Sequence, residues 1–224
     1  MDVYLELGKK RVFAAAIDWP GWSRSGRDEE AALQALLGYG GRYAAVVHGV
    51  DPRFAVAADA NDLHVLERLA GNATTDFGAL GAIPDADWRP IDETELARLE
   101  SLLRASWNAF DRAVDAGATA QLRPGPRGGG RSVAKMRAHV FAAEASYLAT
   151  LGGVSSAGTG EASDDPELIR RAFTDALRDR VQGEIREVGP RGGVRWPPRY
   201  AVRRAAWHAL DHAWEIEDRS IAHD

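Results

Sequence analysis

The sequence predicts an α+β protein: a small α/β domain over residues 1–88, made of a β-hairpin plus a helix, then an all-α four-helix bundle over residues 89–224. Three observations carry this. Val3 to Leu7 alternates apolar and polar residues, and Arg11 to Trp19 is a second β-compatible run after the turn-like Gly8-Lys9-Lys10. From Asp92 onward four long helical patterns follow one another with hardly any β signal. Gly- and Pro-rich stretches separate those patterns.

After the predicted hairpin, Pro20 and Gly21 break the strand, and Asp28 is placed to cap a helix whose Glu29 and Glu30 suit the positive end of its dipole. That helix continues through Leu33, Leu36 and Leu37. Tyr43 to Val47, Phe54 to Ala57 and Leu63 to Leu69 are short apolar pieces that fit either further strands or surface crossings. Asp92 with Glu95 has the spacing of a capping box, and Leu96, Leu99, Leu103, Phe110 and Val114 recur at helical spacing until Gly117. The second helix of the expected bundle runs from about Ser132 to Leu151, with Met136, His139, Val140, Ala143 and Tyr147 on one stripe. Gly152 to Asp164 reads as a small, polar and mobile linker. Asp165 caps a third helix with Pro166 at its first position, and the fourth runs from about Pro198 to Ser220.

Composition limits the chemistry. The chain has no cysteine, which excludes disulfides, thiolate ligands and a cysteine nucleophile, so a metal must be held by His, Asp or Glu. The net charge of -5 argues against nucleic acid as a partner over the whole surface. No apolar run approaches the ~20 residues of a membrane helix. The charged amino terminus lacks the apolar core of a signal peptide, so the expected location is the cytoplasm. Abundant Ala, Arg and Gly with few Lys suit a GC-rich bacterial genome.

An internal repeat leads to the candidate site. GPRGGGR at Gly125 to Arg131 returns as GPRGGVR at Gly189 to Arg195, and each copy leads into a helix that carries histidine. Gly and Pro also punctuate ordinary helix entrances; the functional alternative is that Arg127, Arg131, Arg191 and Arg195 make an anion-binding rim at one end of the bundle, receiving a substrate. His208 and His212, four apart, share one helix face and can direct their imidazoles at one point. His139, placed equivalently after the other repeat copy, makes a third nitrogen donor, and three neutral imidazoles leave positions open for water or substrate. Nitrogen donors suit zinc or nickel, with iron or manganese as alternatives. Glu144, Asp211 and Glu215 flank these histidines and could orient an imidazole N–H. His48, His64 and His223 have no partners at ligand spacing.

On the segments AHVFAAEASYL and WHALDHAWEIEDR, residues from about 90 to 224 resemble the DinB-like metal-binding four-helix bundles, a superfamily that includes thiol-dependent S-transferases and the mycothiol-dependent maleylpyruvate isomerase. The resemblance implies that His139, His208 and His212 are the metal triad, and that the co-substrate is a low-molecular-weight thiol such as mycothiol. FAAAIDWPGWSRSGRDEEAALQAL, within residues 1 to about 50, is similar to HicB-like domains, where a strand leads through a Pro-Gly turn into a helix. The expectation is a metal-dependent transferase or isomerase acting on a small molecule. The alternative is a non-catalytic binding or scaffold protein whose HicB-like part engages a protein partner. A homodimer through an exposed apolar seam is a further expectation.

Overall fold

The computed structural model describes residues 1–124, 130–154 and 165–221, and the chain in these residues is a mixed α+β protein. Arg127, His223 and nearly all of the expected linker lie outside the described residues. Strands β1 (Asp2–Leu7) and β2 (Val12–Ala16) form the expected antiparallel hairpin, its turn closed by the Gly8 N–H donating to the Arg11 carbonyl. Two further strands, β3 (Ser23–Gly26) and β4 (His64–Ala70), complete a sheet of order β3-β2-β1-β4, with β4 parallel to β1.

Between β2 and β3, Gly21 adopts φ 98°, where a side chain would be strained and would run into Ala206 and Leu210. Helix α1 (Glu29–Gly38) begins as expected, with the Asp28 carboxylate accepting from the Ala31 N–H. Tyr43 to Val47 is helical: it is the second half of α2 (Gly40–Val47), whose buried Tyr43 and Val47 are four apart on one face. Phe54 is buried without a strand, edge-on to Trp19, Trp22 and Tyr43 at 4.9–5.1 Å. A short α3 (Ala73–Phe77) follows β4.

Four long helices come next: α4 (Glu93–Gly117), α5 (Val133–Leu151), α6 (Pro166–Gln182) and α7 (Pro198–Arg219). Asp92, Ser132 and Asp165 each accept a backbone N–H in the first turn of their helix, and Pro198 starts α7 where a missing N–H costs nothing. All four helices touch one another. The starts of α4 and α7 meet through Glu95 and Arg199, and their ends through Gly117 and Ile216, so these two run parallel. Helix α5 runs the other way, with Arg131 at its start meeting Arg219 at the end of α7, and Thr150 at its far end meeting Trp196.

Helix α7 is buried nearly all round because it separates two apolar clusters. Ala201, Val202, Ala205, Ala209 and Ile216 join Leu103, Phe110, Met136, Val140 and Phe173 of the other long helices. Leu210 and Trp214, with Leu102 and Ala109 of α4, pack instead under the sheet against Trp22, Leu36 and Tyr43. Among the described residues, no helix is long and apolar enough to cross a membrane.

Candidate metal centre

Helix periodicity brings His208 and His212 to the α5-facing side of α7, and the antiparallel course of α5 sets His139 against them. Their ring centroids are 4.8–5.2 Å apart in all three pairings, and one ligating nitrogen from each lies within 4.8 Å of the others. The Nε2 atoms of His208 and His139 are 3.3 Å apart. Two imidazoles sharing one ion at bond lengths of about 2.0–2.1 Å in tetrahedral arrangement stand about 3.3–3.4 Å apart, so this pair already has a chelating separation. His208 and His212 are buried and His139 is half-buried, leaving one side of the cluster accessible.

The protonation states suit ligation. Burial pushes the His208 imidazolium well below the usual histidine range, helped by the neighbouring His212 and Arg204. Burial also lowers His139, followed by the charges of Arg131 and His212. Neutral rings have a lone pair to give, with no proton to expel first. His212 is oriented by a carboxylate: its Nδ1 is 2.9 Å from Glu215 Oε2, and Arg219 Nη1 donates to Glu215 Oε1 at 2.7 Å. The His212 hydrogen bond, then Arg219, holds the Glu215 carboxyl below its ordinary range, so it stays an acceptor. An Nδ1–H fixed this way leaves Nε2 free for a ligand.

The other flanking acids face elsewhere. Asp211 accepts from Arg24 Nη1 at 2.9 Å, on the side of α7 that meets β3. Glu144 accepts from Arg170 Nε at 3.2 Å, and Arg170 also grips Asp111. Five residues beyond His139, Glu144 sits on a different face of α5.

Of the repeat's arginines that are described, Arg131 and Arg195 do not gather at one end. Arg131 precedes α5, whereas Arg195 lies beside Gly152 at its other end and donates to the Arg186 carbonyl. A 19-residue helix separates the two by about 28 Å. Arg191 is exposed in a tight turn where Gly189 and Gly193 pair and Gly192 takes φ 80°. Arg131 and Arg195 precede antiparallel helices, and that places them at opposite ends. Among the described residues, exposed His48 and His64 belong to no group of three potential ligands, and His64 stands 3.5 Å from Asp2.

One residue beside the site was not singled out from the sequence. Arg204 lies one turn before His208 on the same stripe, and an arginine in register with two buried histidines is the signal that could have found it. Compared with known proteins, the chain matches no family model, no curated protein and no solved structure.

Proposed function

We propose that His139, His208 and His212 hold one divalent metal ion and that the protein is a metal-dependent enzyme acting on a small molecule. The observation that supports this is the convergence of three imidazoles, two of them buried, with a ligating nitrogen of each within 4.8 Å of the others and one pair at chelating separation. The three nitrogen donors suit zinc or nickel, then iron or manganese, and leave further coordination positions for ligands from outside. Such an ion, when bound, supplies Lewis acidity and lowers the pKa of a coordinated thiol or water. Glu215 holds the His212 ring in its ligating tautomer, and burial keeps His208 unprotonated.

On this reading α4 to α7 are a DinB-like four-helix bundle, and the reaction is an S-transfer or isomerisation with a low-molecular-weight thiol in the cytoplasm. Two of those four helices, α5 and α7, carry the three histidines and Glu215.

Metal analysis of protein purified after growth in metal-supplemented medium tests the proposal. One equivalent of a single metal in the wild type, lost in His212→Ala and in His208→Ala, is expected. Metal-free wild type would refute it. Removing the ion with a chelator lowers the melting temperature, by about 2.7 kcal/mol of stability if free metal had stood at a hundred times its Kd.

A further inference from the structure

Arg204 is a cation in an unusual position. Its guanidinium lies 4.7 Å from the ring centroid of Trp207 and 5.1 Å from that of Tyr147. Both rings also neighbour His208, at 6.0 and 5.9 Å. Arg204 and His208 therefore share the same two aromatic walls. The side chain is only 8% exposed, and among the described residues no carboxylate forms an ion pair with it. Glu6, a carboxylate that senses its charge, is occupied by the Thr75 hydroxyl and the Gly81 N–H. The Tyr147 phenol is drawn to the guanidinium, but a neutral hydroxyl does not balance a full charge.

Arg204 Nη1 is buried without a hydrogen-bond acceptor, and so are Trp207 Nε1 and His208 Nδ1. These three positions are i, i+3 and i+4, so one turn of α7 carries three unmet nitrogens. Buried polar atoms in folded proteins are nearly all satisfied, and each exception calls for a missing partner. Aromatic faces stabilise a cation by about 0.5–2 kcal/mol yet accept none of the five N–H donors of a guanidinium.

We infer that Arg204 is the residue that receives the anionic group of the ligand, and that this group is the carboxylate of a small organic acid meeting the guanidinium fork beside His208. A single carboxylate matches the one unbalanced positive charge, whereas phosphate brings about 1.5–2 negative charges at neutral pH. The planar fork of arginine pairs with a carboxylate through two parallel hydrogen bonds. The inference rests on the proposed function for identifying this acid as the substrate; binding of the acid itself needs no metal.

The test uses the full chain stripped of metal by chelation, with sodium benzoate as probe and sodium chloride and sodium phosphate at equal ionic strength beside it. Benzoate should raise the melting temperature of the wild type and change its tryptophan fluorescence saturably; chloride and phosphate should not. Arg204→Met should bind benzoate at least about tenfold more weakly, and Arg204→Lys should weaken it while keeping the charge. Three outcomes overturn the inference: a wild type indifferent to benzoate, an equal response from Arg204→Met, or stabilisation by phosphate in preference to benzoate. Repeating the titration in His212→Ala separates the two readings, because a benzoate response that survives loss of metal uptake leaves the carboxylate site standing alone.

Discussion

Arg203 and Arg204 are neighbours in α7, both buried, and they meet opposite circumstances. Arg203 faces the hairpin, where Nε and Nη2 donate to the two oxygens of Asp87 at 2.8 and 2.7 Å and the remaining donors reach the carbonyls of Ala16 and Ile17. Its charge is balanced and its fork is filled. Arg204 faces α5, against the two aromatic rings that also flank His208, and among the described residues no carboxylate pairs with it. One helix thus uses Arg203 to hold the fold and leaves its neighbour Arg204 unmatched. Local polar imbalance of this kind is where sequence and structure stop serving stability alone.

The largest effect expected from breaking this contrast is on the sheet side. Asp87→Ala strands a fully buried guanidinium and should cost about 3–5 kcal/mol in denaturant unfolding, as should Arg203→Met, which strands Asp87. Less than about 1 kcal/mol from either would erase the distinction between the two sides.

Arg170 is an intermediate case, held by two acids, and it predicts a pH effect. Burial pushes Glu144 up from an ordinary value near 4.5 to about 7, with Arg170 opposing. A raised folded pKa gives stability that is present below about 4.5 and is lost as the pH climbs through about 7. Glu144→Gln cannot titrate, so wild type should lose on the order of 3 kcal/mol relative to it across that window. Parallel stability curves would mean that Glu144 is ionised throughout.

Two smaller effects sharpen the α5 side. Glu215→Gln should weaken zinc binding about 10–100-fold in calorimetric titration, with little change in the unfolding curve of the metal-free protein. Arg204→Met, free of ligand, should melt within about 1 kcal/mol of wild type or above it, since removing an unbalanced buried charge relieves a cost. A much lower melting temperature would place Arg204 beside Arg203 as a structural cation.

The long helices were legible because their caps and periodicity are local: Asp92, Ser132, Asp165 and Pro198 all stand at helix starts. Strand β3 was not, because SRSG has no β-forming side chain and is strand only through pairing with β2. Gly40 and Gly41 disguised α2, which is helical because Tyr43 and Val47 need one buried face. Spacing and the repeat led to His139, His208 and His212, yet the same repeat misplaced Arg131 and Arg195, since a repeated motif fixes a helix entrance and says nothing of helix direction. That Glu215 orients His212 while Asp211 and Glu144 turn to arginines depends on which faces α5 and α7 present, and that is decided by packing.

Arg203 reaches carbonyls 186 and 187 positions earlier in the chain. A contact of that span closes almost the whole polypeptide into a loop, and its entropic cost is met only after the intervening elements have compacted. Loop-closure entropy favours forming the hairpin and local helices before α7 docks. His208 and His212 ride on α7 and His139 on α5, so a ligand that requires all three rings also reports that α7 is docked.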